Sequence, residues 1–424
     1  MPYTLFHNIT LIDGCGGPPL PRAAVLVEDN RIRAVGPEAT LSLPNDELTM
    51  LDGEGGALLP GLIDTHVHLM LEGGNIPAMM MTPFSLNFYR AINYMRRTVQ
   101  AGITSVRDAG GADLGVKRAV EEGLVLGPRM QISITVLTTT GGHGDGWMPS
   151  GTSFDIFPPY PGVPDGRVDG PEAVRGRVRE ILRSGADVIK VCSTGGVMSP
   201  TDDPTFTQFS PEELAVMVQE GGYRRGIKVM AHAQGAEGIK NAVRAGIHSI
   251  EHGIFLDDEA IELMLERGTY LVPTLLAPVA VLEQAKTAGA MPEYGVRKAR
   301  EAIDAHQDSI ARAYKAGVKI AMGTDAGVAP HGTNLRELAL MCGIGMSPME
   351  AIVATTKVAA ECMGWQDRLG TVEAGKLADL VLVRRDPLTD IDSLADQENI
   401  AVVMMDGKIV ADRRSVADRQ TAPA

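Results

Sequence analysis

Residues 225–235 read RGIKVMAHAQG, and this arrangement decides the fold because it recurs along the chain. A helical stretch ends at a glycine, a short apolar run follows, and polar residues close the unit. The first glycine fits a left-handed helix C-cap, and the apolar run fits a parallel strand buried on both faces. The same unit is found in AGITSVRDAG (101–110), SGADVIKVCSTGG (184–196), AGIHSIEHG (245–253), RGTYLVPTL (267–275) and AGVKIAMGTDAG (316–327).

The stretches between these units have the pattern of amphipathic helices. Residues 171–184, 211–225, 236–245 and 257–267 carry this pattern, and several begin with proline or acidic residues, as helices often do. Two further strands are predicted in GGALLPGLIDTHVHL (55–69) and RMQISITVLTTTGGHGD (129–145). Eight strands alternating with helices predict an α/β protein with a (β/α)8 TIM barrel over residues 58–367.

The two ends of the chain have a different texture. Short strand-like runs broken by glycine and proline fill the first fifty residues, and the tail repeats them in ADLVLVRR (378–385) and IAVVMMDGKIVAD (400–412). Such flanking segments are expected to pair with each other. We therefore predict a small β-sandwich domain formed by residues 1–57 and 368–424.

Composition narrows the classes of function. The 424 residues are 44% hydrophobic and carry a formal net charge of −14, which argues against nucleic acid or an anionic membrane as a partner. The four cysteines lack CxxC spacing, and no apolar run approaches the roughly 18 residues of a membrane helix. The first residues do not have the pattern of a signal peptide, so a cytoplasmic location is expected. A mature secreted form whose leader has been removed is the alternative.

Six polar residues stand at the carboxyl ends of predicted strands, where barrels of this type keep their active sites. They are His66 and His68 on the first strand, Lys190 on the fourth, His232 on the fifth, His252 on the sixth and Asp325 on the eighth. The first two histidines are two positions apart, so both point the same way from a strand. Imidazole and carboxylate groups bind zinc and related divalent metals. Satisfied core histidines and a turn-capping aspartate are the alternative interpretation.

Lys190 interrupts the apolar run VIKVC (188–192), although burying an ammonium group is unfavourable. One explanation is a pairing with a buried carboxylate. The other is that the site depresses the pKa of the lysine, whose neutral amine could then react with CO2 to give an anionic carbamate.

The motifs PGLIDTHVHL (60–69), VIKVCSTGG (188–196), AHAQG (231–235), SIEHG (249–253), GTDAG (323–327) and LGTVEAGKLADLVL (369–382) together resemble the amidohydrolase superfamily of metal-dependent hydrolases. The resemblance covers nearly the whole chain. In the branch with two metals it implies that His66 and His68 bind one metal ion and that His232 and His252 bind the other. It further implies that a carboxylated Lys190 bridges the two ions and that Asp325 is a ligand of the first.

This resemblance implies two divalent metal ions, with zinc as the expected metal. Such a pair activates a hydroxide and polarises a carbonyl, and Asp325 would take the proton of the nucleophile and pass it to the leaving nitrogen. Amide hydrolysis is the reaction expected from this arrangement. Deaminases of the superfamily usually use one metal and lack the lysine of the fourth strand, so Lys190 argues against deamination.

Within the superfamily the chain looks closest to prolidase-like Xaa-Pro and Xaa-Arg dipeptidases and to ochratoxin-hydrolysing amidases, because of TGGHGD (140–145) and the two histidine motifs that follow. The substrate is expected to be an N-acyl-L-amino acid or dipeptide with an apolar side chain, ochratoxin A included. Hydrolysis of a cyclic amide or lactone, deamination, and a non-catalytic scaffold are the alternatives. A homo-oligomer is expected, with an octamer as one form.

Two further histidines are candidates for substrate contact. His143 ends the third strand among glycines, and His331 follows the eighth strand at the expected rim. The alternatives are a plain loop histidine for His143 and a role in holding its own loop for His331. His248 is assigned a structural role, and His306 is placed on an outer helix without a function. The insertion at residues 146–168, rich in proline, glycine and aromatic residues, is expected to cover the mouth of the pocket.

Overall fold

The computed structural model describes residues 3–414. Its strands are β1 (Tyr3–Leu11), β2 (Leu20–Glu28), β3 (Arg31–Pro37), β4 (Leu48–Asp52), β5 (Ala57–Pro60), β6 (Leu62–Val67), β7 (Ile103–Asp108), β8 (Arg129–Ile132), β9 (Val136–Leu137), β10 (Val188–Cys192), β11 (Lys228–Ala233), β12 (Ser249–His252), β13 (Tyr270–Val272), β14 (Leu380–Val383), β15 (Ile400–Met405) and β16 (Lys408–Asp412).

The helices are α1 (Ile76–Met80), α2 (Leu86–Gln100), α3 (Leu114–Glu121), α4 (Pro171–Arg183), α5 (Pro211–Tyr223), α6 (Ala236–Ala245), α7 (Asp258–Arg267), α8 (Leu276–Gln284), α9 (Glu293–Ala316), α10 (Arg336–Gly343), α11 (Pro348–Thr355) and α12 (Lys357–Cys362). Left-handed glycines end α6, α7 and α9, as the repeated sequence unit predicts. The predicted alternation of strands and helices is present from β6 to β13, with the third predicted strand divided into β8 and β9.

The strands of the two chain ends form one mixed sheet of eight strands, in the order β16–β15–β14–β5–β1–β2–β3, with β4 paired to β1. The link between the two ends is β5, which runs parallel to β1 and antiparallel to β14. Phe6, Val25, Leu58, Leu380 and Val402 are buried in one cluster on this sheet. The predicted pairing of the terminal segments is thus observed, and residues 415–424 of the predicted domain lie outside the described part of the chain.

The remaining strands form two parallel sheets, β6–β7–β8 and β9–β10–β11–β12–β13. Residues 319–326 lie between β13 and β6 and join them, because Leu271 N–H donates to Lys319 O and Thr65 N–H to Met322 O, each at 2.9 Å. The third predicted strand is broken between β8 and β9, where Ile134 has a φ of +69°. The described residues therefore form two parallel sheets rather than one closed ladder of eight strands.

Polar side chains gather where the parallel strands end, and this edge lies above an apolar interior built by residues such as Val67, Val191, Ala231, Ile250 and Leu271. Because both faces of the parallel strands are covered, their sequences are nearly continuous apolar runs. Within residues 3–414, no helix combines the length and apolar character needed to cross a membrane.

Candidate metal centre and substrate cavity

The six polar residues predicted at the strand ends line a single cavity of about 200 Å³. His66 lies in β6, and His68 follows it directly. Lys190, His232 and His252 lie in the neighbouring strands β10, β11 and β12, and Asp325 lies in the segment that joins the two sheets. The parallel arrangement brings these carboxyl ends to the same edge.

Three of the residues form a compact group that could hold a metal ion, because ligand atoms of His66, His68 and Asp325 all lie within 4.8 Å of one another. Oδ1 of Asp325 is 3.6 Å from Nε2 of His66 and 3.4 Å from Nε2 of His68. The amine of Lys190 is 3.3 Å from the same His66 nitrogen. His252 adjoins this group, since its ring centroid is 5.1 Å from that of His66 and 4.6 Å from that of His232.

Each of the four imidazoles is hydrogen-bonded to protein through one nitrogen. The bonds join His66 Nδ1 to Glu251 Oε2 (2.7 Å), His68 Nδ1 to Gly110 O (2.9 Å), His232 Nε2 to Gly195 O (3.0 Å) and His252 Nδ1 to Thr274 Oγ1 (2.7 Å). At His68, His232 and His252 the other ring nitrogen has no hydrogen-bond partner among residues 3–414, whereas Nε2 of His66 faces the amine of Lys190 at 3.3 Å. Partners of this kind fix the tautomer and the orientation of metal-binding histidines.

Electrostatics favour neutral imidazoles at this edge. Burial, followed by the charge of Lys190, lowers the pKa of His68 to about 3, and burial likewise keeps the pKa values of His66, His232 and His252 well below the ordinary range. Burial also lowers the pKa of Lys190, against the opposing influence of nearby acidic groups. Neutral imidazole is the form that binds a metal, and a neutral amine is the form that reacts with CO2.

A further observation supports the fit of these donor groups to divalent metals. Oδ1 of Asp325 is buried and has no hydrogen-bond partner among residues 3–414, which is costly for a carboxylate unless another group binds it. Burial raises the pKa of this carboxyl to about 6. His252 and Asp325 also have left-handed backbone conformations, with φ values of +74° and +58°. Such strain in residues other than glycine concentrates at functional sites.

The insertion at residues 146–168, expected to cover the mouth of the pocket, contributes nine residues to the cavity lining, and we call it the covering segment. The Phe157 ring stacks on His68 with centroids 5.3 Å apart, and the Tyr160 hydroxyl donates to Asp113 at 3.1 Å. The cavity wall is largely apolar and includes Met148, Phe154, Ile156, Phe157, Val197, Met198, Ile254, Val281 and Tyr294. The covering segment also brings in Arg167, whose guanidinium donates to Asp145 at 2.8 Å.

The two histidines predicted to contact substrate have different places in the structure. His143 lines the cavity, and its ring stacks on that of His232 with centroids 4.2 Å apart. His331 is not part of the cavity lining: it is buried, its Nε2 is 2.9 Å from Leu71 O, and its ring stacks on Tyr94. The prediction for His331 is corrected accordingly, because one face of its ring is covered by Tyr94 and its Nε2 is hydrogen-bonded to Leu71 O.

The sequence did not predict a place near the candidate metal centre for two further residues, His306 and Glu251. His306, expected on an outer helix, is buried, and its Nε2 is 2.9 Å from His252 O and 2.7 Å from Pro273 O. Glu251 accepts hydrogen bonds from Arg107 at 3.0 Å as well as binding the His66 ring. The signal for Glu251 was its place in the SIEHG motif, one residue before a predicted ligand.

Comparisons with known proteins place the chain in a family. The model of the amidohydrolase family matches residues 57–410, so the chain belongs to that family. It is 36% identical over 423 residues to ochratoxinase of Aspergillus niger, which covers 96% of this chain and 86% of the relative.

Two solved structures extend the comparison. A Xaa-Pro dipeptidase with methionine bound in its active site superposes with a TM-score of 0.86 at 37% identity, covering 96% of this chain and 99% of that one. A prolidase complexed with N-methylphosphonate-L-proline has a TM-score of 0.88 at 35% identity, covering 97% of this chain and all (100%) of that one. The fold of these neighbours is of the TIM-barrel type.

Proposed function

We propose that this protein is a binuclear metal-dependent hydrolase that cleaves the amide bond of an N-acyl-L-amino acid or dipeptide. Ochratoxin A is a candidate substrate, and two zinc ions are the expected metals. The observation that carries the proposal is the convergence of four imidazoles, Lys190 and Asp325 on one cavity. The neutral state of the imidazoles and their outward hydrogen bonds support a role as metal ligands.

His66, His68 and Asp325 would hold one ion, and His232 with His252 would hold the other. In this proposal the neutral amine of Lys190 adds CO2 and releases a proton, which gives an anionic carbamate that would help to hold the two ions. When bound, the metal ions supply an activated nucleophile and an electrophile for the scissile carbonyl.

Asp325 is the residue to which we assign proton transfer. Its carboxyl has a pKa raised by burial to about 6, and its Oδ1 has no hydrogen-bond partner among the described residues. A carboxylate at this position can take up and release a proton during the reaction. In the proposed reaction Asp325 receives the proton of the nucleophile and passes it to the leaving nitrogen.

The covering segment and the apolar wall support a substrate with a large apolar group. Such a wall excludes water and contacts hydrocarbon or an aromatic ring, while a few polar groups orient the substrate. His143 is the proposed contact for a substrate carbonyl or carboxylate oxygen. The names of the similar proteins, an ochratoxinase and an Xaa-Pro dipeptidase, agree with amide substrates of this kind.

A screen of N-acyl amino acids, dipeptides and ochratoxin A with the metal-loaded enzyme tests the proposal. We expect amide cleavage by the wild type and a loss of about 10²- to 10⁴-fold in kcat for Asp325→Asn, the range for a general acid–base group. Metal analysis should give two ions per chain. Release of ammonia from an aminated ring with no amide cleavage, or hydrolysis confined to cyclic amides or lactones, would assign the chain to the alternative reactions.

Several broader features belong to the same proposal. The two parallel sheets and residues 319–326 would act together as a (β/α)8 barrel over residues 58–367, beside a small β-sandwich domain. A homo-oligomer, an octamer included, is supported by the exposed apolar side chains of Met80, Met81, Phe84 and Tyr89. Light scattering tests the assembly, and cell fractionation tests the proposed cytoplasmic location.

A further inference from the structure

The ring of His143 is enclosed on two sides. One face stacks on His232, with an angle of 17° between the rings. Gly196 also lies close to the ring, because a Cβ added there would lie only 2.3 Å from Cε1 of His143. Glycine is therefore required at residue 196 by space alone, because any side chain would displace the imidazole.

The edge of the same ring is fixed by a short chain of polar side chains. Nδ1 of His143 is 2.9 Å from Ser199 Oγ and 3.5 Å from Asp202 Oδ2. The Ser199 hydroxyl donates to Oδ1 of Asp202. A hydroxyl has one hydrogen to donate, so Nδ1 must be the donor to Ser199. Nε2 has no hydrogen-bond partner among residues 3–414. In the neutral ring it can accept from a substrate N–H, and in the imidazolium, whose charge Asp202 would balance, it can donate to a substrate carbonyl or carboxylate oxygen.

Asp202 is itself held by a buried lysine on the opposite helix. Lys298 in α9 donates to three backbone carbonyls, those of Gly196 (2.9 Å), Ser199 (2.9 Å) and Asp202 (2.6 Å), and lies 3.3 Å from Asp202 Oδ1. All three hydrogens of the ammonium group have acceptors within reach. The loop that follows β10 is thereby fixed to α9 at the point where it contacts His143.

The charges of Asp202 and Lys298 balance each other outside the group of predicted metal ligands. Burial alone would raise the pKa of Asp202, but its hydrogen bonds and the charges around it bring that pKa below the ordinary range. Asp202 and Lys298 are both buried, and neither lies within the group of predicted metal ligands. A buried ion pair of this kind is weak evidence for stability, whereas a fixed geometry is its best-attested use.

We propose that Asp202 and Lys298 are positioning residues that orient His143 toward the substrate. This inference rests on the proposed function, because it assigns to His143 a contact with the substrate of that reaction. Ser199 transmits the orientation by accepting from the imidazole and donating to the carboxylate. The side chains that face the His143 ring are then His232, Ser199 and Asp202, while the amide oxygen of Gln208 accepts from the His143 backbone N–H.

A double-mutant cycle on the metal-loaded enzyme tests the pathway from Asp202 to His143. We expect Asp202→Asn to lower kcat/KM by about 10- to 100-fold, the range for partners that orient site histidines, with metal content close to wild type. The substitution leaves the buried ammonium of Lys298 without its counter-charge, so the melting temperature should fall and the assay is run well below it. In a His143→Ala background the same substitution should have almost no further effect. Equal losses in the two backgrounds would show that Asp202 does not act through His143 and would overturn the proposal.

The neighbouring residue provides a matched control. Asp203 is in the same loop, and its carboxylate bonds to Thr205 rather than to the cluster. Asp203→Asn should leave kcat/KM unchanged. A loss equal to that of Asp202→Asn would indicate general disturbance of the loop and would contradict the proposal.

A measurement without turnover separates this inference from the proposed function. The ¹⁵N resonances of His143, assigned by comparison with His143→Ala, should report a protonated Nδ1 in the wild type. They should report a mixture of tautomers in Asp202→Asn and in Lys298→Met. An unchanged Nδ1 signal in both variants would refute the positioning role. If no amide substrate is cleaved, this readout still decides the matter.

Discussion

Nδ1 of His66 and Oε2 of Glu251 are 2.7 Å apart in a buried hydrogen bond, and Oε1 of the same carboxylate accepts from Arg107 at 3.0 Å. Glu251 therefore orients an imidazole of the candidate metal centre, while the guanidinium of Arg107 balances the charge of the Glu251 carboxylate. Carboxylates that accept from a metal-binding histidine raise its basicity and hold its ring. The candidate metal centre therefore includes Glu251, which is a hydrogen-bond partner of a predicted ligand and not a ligand itself.

We expect Glu251→Gln to lower metal affinity by about 10- to 100-fold, because an amide orients His66 less strongly than a carboxylate does. Competition with a chelator followed by metal analysis measures the change. Glu213→Gln is the control: Glu213 is also a buried carboxylate, but it caps α5 and accepts from Gly170 N–H. Equal affinity in Glu251→Gln and wild type would contradict the assigned role.

Lys190→Ala should abolish binding of at least one metal ion and reduce kcat by several orders of magnitude, because the variant lacks the proposed anionic bridge. A short carboxylic acid added to the variant should restore part of both, since its carboxylate can occupy the space left by the side chain. Metal content and amide cleavage with and without propionate measure this outcome.

Ile189→Val is the matched control for the lysine. Ile189 is the buried apolar residue that precedes Lys190 in β10, and the substitution removes one methylene from it. This should lower the free energy of unfolding by about 0.5–1.5 kcal/mol without loss of metal. Full activity of Lys190→Ala at wild-type metal content would exclude the bridging role.

Much of the parallel architecture could be predicted because each buried strand follows a glycine-ended helix and precedes polar residues. Whether the strands close into a barrel could not be predicted from this sequence pattern. At Ile134 the third strand bends through a left-handed conformation, and residues 319–326 join their neighbours through isolated bridges and hydrogen bonds. The apolar pattern of a sequence identifies buried strands, but it does not show where the hydrogen bonding between neighbouring strands is interrupted.

The candidate centre could be predicted because a polar residue in an apolar strand is conspicuous in the sequence. Lys190 and the four strand-end histidines have this property. Lys298 and Asp202 are 96 residues apart, and neither stands in an unusual local context, so only the fold brings them together. His331 shows the converse error, since a histidine after a strand end was expected at the rim and is instead packed beneath a loop.

Arg167 is expected to select substrates with a free carboxylate. Besides Lys190, it is the one lysine or arginine side chain that lines the cavity within residues 3–414. A charge-assisted hydrogen bond contributes about 1.5–3 kcal/mol, so Arg167→Met should raise KM roughly 10- to 100-fold for an N-acyl-L-phenylalanine. For the corresponding C-terminal amide the change should be small.

Comparison of the two substrates distinguishes this role from a packing effect. Arg167 also pairs with Asp145, so its loss could disturb the covering segment for every substrate alike. Arg175→Met on α4 provides a control, because Arg175 pairs with Glu220 and does not line the cavity. A parallel rise of KM for acid and amide in Arg167→Met would assign the residue to the covering segment alone.

His248 should make the fold sensitive to acid. It is largely buried, its Nε2 is 2.9 Å from Cys362 O, and burial lowers its pKa to about 4. Between pH 4 and the ordinary histidine pKa of about 6.5, the unfolded chain binds one more proton at this residue than the folded chain. Stability therefore rises with increasing pH in this window and is lost as the pH is lowered through it, by up to ~1.4 kcal/mol per pH unit. His248→Gln keeps a donor for the carbonyl without a titrating group, so urea titrations should give a smaller pH slope for the variant. Parallel slopes for wild type and variant would exclude this contribution.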